Sequence, residues 1–142
     1  MVQAFGHVNL GVSDLEKMVG FYTKVLGFKD VFRLTDADGN MFGAYIMLPD
    51  GNFLEFIQRK NVSENVVPAF NAGHLCFEVD DINKQKEIID ANGIEIIFKG
   101  VIQGRDKNWQ FFINDPENNK IEFMQMDPES PQRISQAALK NS

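Results

Sequence analysis

Two stretches decide how the chain is read: GHVNLGVSDLEKMVGFYTKVLGF at 6–28 and GHLCFEVDDI at 73–82. In the first, Val8, Leu10 and Val12 alternate with His7, Asn9 and Gly11, the period-two pattern of a strand packed on one side. Asp14 then stands where a helix N-cap belongs, Leu15, Met18, Val19, Tyr22 and Leu26 recur at helical spacing, and Gly27 is a stop signal. The spacing predicts a strand over 5–12 and a helix from about 15 to 26. Three short apolar runs follow near 28–34, 41–48 and 53–58, separated by turn residues Asp36, Asp38, Gly39, Asn40, Pro49, Asp50, Gly51 and Asn52. That order reads as β-α-β-β-β with an antiparallel meander.

The second stretch restarts the programme. A strand is expected at 73–79, a helix at 81–91 ended by Gly93, and strands near 94–101, 108–114 and 120–126. A shift of 67 residues superposes the halves: Gly6 on Gly73, His7 on His74, Val12 on Val79, Asp14 on Asp81 and Lys17 on Lys84. The register holds through Pro49 and Pro116, Asn52 and Asn119, Glu55 and Glu122, Phe56 and Phe123, and Gln58 and Gln125. The expected class is α+β, with two tandem βαβββ modules in one domain over 1–142. Module one runs from about 4 to 58, a polar connector from 59 to 72, module two from about 73 to 126, and a tail from 127 to 142. Pro128, Pro131 and a weakly amphipathic end leave that tail open between a docked helix and a frayed terminus.

Composition narrows the function classes. The 142 residues carry 14 basic and 20 acidic side chains, a formal charge of −6, 44% hydrophobic residues, one Cys and two His. An acidic chain without a Lys/Arg cluster is not expected to bind nucleic acid, and no apolar run is long enough for a membrane span. A lone Cys76 and an N-terminus without a basic-then-apolar segment fit a cytoplasmic protein.

Both histidines occupy the same place on the first strand of a half, and each is answered by a Glu 48 residues on: His7 by Glu55, His74 by Glu122. The glutamates sit between Leu54 and Phe56, and between Ile121 and Phe123, so alternation places them on the face away from the helix. A carboxylate turned into a concave sheet face loses hydration and calls for a cation, a hydrogen-bond donor or a proton. One divalent metal shared by two imidazoles and two carboxylates would satisfy all four groups. Mixed N/O donors without thiolate suit Ni, Co or Zn first, then Mn or Fe, with a position left for water or substrate. Cys76 lies two residues after His74 and reads as a small wall residue. Phe53, Ile57, Met124 and Met126 are expected on the metal-facing side as an apolar wall.

At these residues, with NFLEF at 52–56 and DPENNKIEF at 115–123, the chain resembles the glyoxalase, bleomycin-resistance and dioxygenase superfamily, the vicinal oxygen chelate proteins. The likeness covers about residues 5–126. Within that superfamily the order His, Glu, His, Glu is most similar to compact bacterial glyoxalase I, the lactoylglutathione lyases. The resemblance implies half-barrel modules paired across a homodimer, with His7 and Glu55 of one copy joining His74 and Glu122 of another around the metal. It further implies a small-molecule substrate with adjacent oxygens, such as the thiohemiacetal of methylglyoxal. A carboxylate abstracts a proton and the metal stabilises the enediolate. Glu122 is the first choice for that base and Glu55 the second.

Glyoxalase I enzymes hold glutathione with an Arg four residues after the first His and an Asn four after the first Glu. Gly11 and Arg59 stand there in this chain. Arg59, together with Arg105, Lys107 and Trp109 in the loop GRDKNW, forms the candidate substrate-contact set. Alternative readings are an acyl-coenzyme A epimerase, a metal-free drug-binding resistance protein and an Fe(II) extradiol dioxygenase.

Overall fold

The computed structural model describes residues 2–59 and 73–140; most of the connector expected at 59–72 lies outside them. The chain forms two compact units: Met1–Asn71 with Pro116–Asn118, and Ala72–Asp115 with Asn119–Ser142. In the first, β1 (His7–Val12) is followed by α1 (Leu15–Gly20), β2 (Lys29–Thr35), β3 (Met41–Met47) and β4 (Phe53–Gln58). The second repeats the order with β5 (Leu75–Glu78), α2 (Ile82–Ala91), β6 (Ile96–Gln103), β7 (Trp109–Asn114) and β8 (Lys120–Gln125), then adds α3 (Pro131–Lys140).

Each unit builds one four-stranded mixed sheet, β1-β4-β3-β2 in the first and β5-β8-β7-β6 in the second. The first strand of each module pairs parallel with the last, and the other pairs are antiparallel. Registers are equivalent: Asn9 stands beside Glu55, and Cys76 beside Glu122. The protein is therefore of the expected α+β class, with two repeated modules.

Alternation puts the apolar set under the helix. Leu10, Val12, Met18, Tyr22, Ile46 and Phe56 are fully buried in the first unit, as are Ile89, Phe111, Ile113 and Ile121 in the second. Each large side chain contributes about 1.5–3 kcal/mol by leaving water. Both helix starts are capped twice. Asp14 accepts from Lys17 N, and Asp81 from Asn83 N and Lys84 N, at 3.0 Å. Gln58 Oε1 accepts from Leu15 N at 3.0 Å, and Gln125 Oε1 from Ile82 N at 2.8 Å, so the matched glutamines close equivalent orphan donors from the last strands.

Three local features differ from the expected pattern, and the reading of the tail, left open by the sequence, is decided. The first strand starts at His7, with Phe5 exposed before it. The first helix ends as a regular helix at Gly20 and widens into a π-type turn over Phe21–Val25, where Leu26 N reaches back to Phe21 O. β6 bulges: Ile97 pairs with Phe112 and Ile102 with Gln110, with Phe98 (φ 66°) and Gly100 (φ 82°) left-handed between them. The tail is helical. Ser130 Oγ accepts from Arg133 N, and Arg133 pairs with Glu78, while no residue of α3 is buried. No helix among the described residues is long and apolar enough to cross a membrane.

Candidate metal centre

β1 and β4 run parallel, and β1 presents His7 on the face opposite Leu10 and Val12. His7 Nε2 lies 3.2 Å from Glu55 Oε2. In the second unit the same arrangement of β5 and β8 brings His74 Nε2 to 2.7 Å from Glu122 Oε2. The imidazoles remain about two-fifths exposed, whereas the carboxylates are largely covered, at 17% for Glu55 and 9% for Glu122. Water keeps access to the histidines while the glutamates depend on protein donors.

These distances provide a test of fit. Metal–nitrogen and metal–oxygen bonds of about 2.0–2.2 Å meeting near a right angle place their donor atoms roughly 3 Å apart. Both His–Glu pairs have that separation, and imidazole with carboxylate is an ordinary donor mix for a borderline divalent cation. Among the described residues, no group of three or more His, Cys, Asp or Glu side chains gathers as a metal cluster. The folded units thus form two His–Glu pairs.

The surroundings of the pairs differ. Asn9 Nδ2 donates to Glu55 Oε2 at 2.8 Å. Tyr45 stands directly across from Glu55 on β3. Loss of water raises the Tyr45 pKa, and the adjacent Glu55 carboxylate raises it further. The Tyr45 ring also stacks on Phe32 at 4.5 Å and meets His7 edge-on at 5.7 Å. In the second unit the equivalent residues are Cys76 and Phe112. Phe112 meets His74 edge-on, again at 5.7 Å. Cys76 is exposed as a residue, but its thiol is pushed up to about 12, first by lost hydration and then by the adjacent Glu122 charge and hydrogen bond.

The remaining expected residues fall in different places. Arg59 lies over Gly11: a Cβ built on Gly11 would collide with Arg59 Nε, so the absence of a side chain at 11 seats the guanidinium. Arg105 is exposed, and Lys107 pairs with Glu129 at 3.1 Å. Trp109 sits at the start of β7, on the Phe111 and Ile113 side by alternation and thus opposite Phe112. Buried Asn108 fixes that loop by bonding Asp106, Gln132 and Asp127 N. Met124 is buried, and Met126 lines a groove with Pro131, Gln132, Ser135 and Gln136. Phe53 meets Tyr45 edge-on.

Sequence reading missed Asn9 as the hydrogen-bond partner of Glu55 and Tyr45 as its cross-strand neighbour. A signal existed for Tyr45, since the shift that superposes the histidines also superposes Tyr45 on Phe112, an aromatic at the same point of the third strand. A model of the glyoxalase/bleomycin resistance protein/dioxygenase superfamily matches residues 4–123. The chain belongs to that superfamily.

Lactoylglutathione lyase of Neisseria meningitidis serogroup A is 30% identical over 84% of this chain and 88% of its own length. Metallothiol transferase FosB of Staphylococcus saprophyticus is 27% identical over 87% of this chain and 77% of its own length. A probable chloroplastic lactoylglutathione lyase of Arabidopsis thaliana is 28% identical over 94% of this chain, which spans 39% of that longer protein. Among solved structures, a glyoxalase/bleomycin resistance protein/dioxygenase domain from Frankia sp. superposes with a TM-score of 0.73 at 22% identity, covering 91% of this chain and 96% of that one. The last comparison concerns the fold alone.

Proposed function

We propose that the chain is a metal-dependent lyase or isomerase of glyoxalase I type, acting on a small substrate with adjacent oxygens such as a thiohemiacetal of methylglyoxal. One observation carries the reading: each module independently brings a histidine Nε2 and a glutamate Oε2 to the spacing of neighbouring ligands of one cation. His7, Glu55, His74 and Glu122 would hold a single divalent ion, Ni, Co or Zn in preference to Mn or Fe, with the pairs drawn from two copies of the chain. That ion would supply Lewis acidity toward the substrate's paired oxygens.

The protein's own groups do the rest. Glu122 takes the proton from the carbon beside the substrate oxygen and returns it to the neighbouring carbon; Glu55 is the second candidate. Glu122 is the more covered of the two carboxylates and lies 2.7 Å from His74 Nε2. Arg59, seated against Gly11, offers a planar cation to an anionic substrate group. Arg105 and Lys107 on the β6–β7 loop stay in the proposed contact set, whereas Trp109 stands in β7 on the face away from Phe112 and His74.

The named relatives support a second reading, thiol transfer to a small electrophile, because a metallothiol transferase and a lactoylglutathione lyase match this chain at similar identity. Elemental analysis of the purified protein, followed by turnover on methylglyoxal with several thiols, acyl-coenzyme A esters and catechols, tests both. The expected result is about one divalent ion per chain and isomerised thioester product. A preparation that holds no metal and cannot be reconstituted would end the first reading, and a stable thiol adduct as sole product would favour the second.

A further inference from the structure

Phe98 combines three features that cost stability. Its backbone is left-handed (φ 66°), it sits where the β6–β7 pairing breaks between Ile97 and Ile102, and 70% of its surface stays in water. A left-handed conformation is strained for a bulky side chain, and an exposed ring gains little from burial in return. What the bulge does is re-aim that ring. By plain alternation Phe98 would stand on the face opposite Ile97, the partner of Phe112. Instead its ring meets Phe112 edge-on with 5.6 Å between centroids, and Phe112 in turn meets His74 edge-on at 5.7 Å. Phe112 stands across from Glu122 and so shares the metal-facing side. Lys120 lies two residues before Glu122, on that same side of β8, and places Nζ 5.4 Å from the Phe98 ring centroid. Two aromatic rings and an ammonium thus flank the His74–Glu122 pair.

We propose that Phe98 is a specificity-determining residue: its open ring, beside Phe112, receives a flat aromatic substituent on the carbon next to the substrate's paired oxygens. Lys120 is a positioning residue that holds the ring by its face. This rests on the proposed metal-dependent function and narrows its substrate class to aryl-bearing vicinal-oxygen compounds in preference to methyl-bearing ones. The preference has a physical cause. Edge and offset contacts between flat rings add to area burial a term that a methyl group does not supply. A ring already held by an ammonium has less freedom left to lose when a ligand docks.

Acetohydroxamate and benzohydroxamate test this, since both offer two adjacent oxygens to a metal and differ only in methyl against phenyl. Each is titrated by calorimetry into the Zn²⁺-loaded full chain, with thermal melts and gel filtration of every variant. Phe98→Gly is expected to weaken benzohydroxamate about 3- to 10-fold relative to acetohydroxamate. It should melt no lower than the wild type, because glycine suits the left-handed backbone. Phe98→Leu, which keeps apolar bulk without the flat ring, is expected to lose most of the same preference. Lys120→Met should lose about 2- to 5-fold of it and Lys120→Arg should restore it. Charge at 120 acts on both hydroxamates alike, so their ratio isolates the ring. An unchanged ratio in Phe98→Gly would overturn the proposal and leave the metal reading standing. A changed oligomeric state in that variant would also overturn it, by assigning the ring to a subunit contact. Failure of the chain to hold Zn²⁺, or of the loaded chain to bind either hydroxamate, would overturn both.

Discussion

The two modules share a register, a helix cap and a His–Glu pair, yet surround the pairs with opposite chemistry. Around Glu55 stand Asn9 and Tyr45; around Glu122 stand Cys76 and Phe112. A similar exchange occurs one turn of the pleat further along. Gly11 leaves room for the Arg59 guanidinium, whereas its counterpart Glu78 pairs with Arg133 of α3. Duplicated backbone thus fixes where side chains point, while substitution on the two faces decides what each half can do. The core face has kept its apolar character, and the opposite face has diverged.

The strongest way to break this comparison is to neutralise each carboxylate in turn. Glu122→Gln is expected to lower kcat by about 10²- to 10⁴-fold with metal retained, whereas Glu55→Gln is expected to lose metal first. Metal content and steady-state rates on the same preparations decide it, and identical behaviour of the two variants would erase the assigned asymmetry.

On the conserved side of the comparison the modules should respond alike. Phe56 and Phe123, equivalent across the repeat, are 0% and 3% exposed, and each packs against an aromatic neighbour with 5.1 Å between ring centroids. Truncation to Ala is expected to cost about 3–5 kcal/mol at either site in urea unfolding. A cost below about 1 kcal/mol at one of them would show that the second core is not built as the first is.

A smaller effect is expected at the caps. Gln58→Ala and Gln125→Ala each strip an acceptor from the first helical N–H, and each is expected to cost about 1 kcal/mol. Gln58 also donates to Ser13 O, so the first module should lose slightly more. Equal or reversed losses would show that this extra bond contributes nothing.

The smallest signal comes from Cys76. With its pKa raised to about 12, the thiol is almost wholly protonated below pH 10, and thiolate reactivity appears only as pH climbs toward that value. At pH 8 about one molecule in 10⁴ carries the thiolate, so iodoacetamide should label Cys76 far more slowly than a free cysteine. Labelling at the ordinary rate, read by mass spectrometry, would show that neither lost hydration nor the Glu122 charge keeps the sulfur protonated.

Much of this was legible before folding because strand alternation and a fixed offset are local arithmetic. Once His7 and His74, Glu55 and Glu122, and the apolar residues around them were superposed, the shared face of each pair followed, while the parallel pairing of first and last strands came only with the fold. Bulges were harder. Phe98 is a β-former by type and gives no warning of a left-handed backbone, and the widened turn after Gly20 depends on how Phe21, Thr23 and Leu26 share carbonyls. The tail could be read either way because its composition sets an amphipathic stripe without saying what holds it.

The sequence by itself determined the duplicated βαβββ plan, the two cores and the His–Glu couples, since each depends on spacing within one module. Only the tertiary structure decided which donors reach each carboxylate, that Arg59 rests in the space left by Gly11, and that Glu117 Oε1 accepts from Ser13 N, Ser13 Oγ and Asp14 N at 2.7–3.0 Å. Such contacts join residues on different strands or far apart in the chain. Their formation depends on cross-strand register and loop path, which the period of any one segment does not encode.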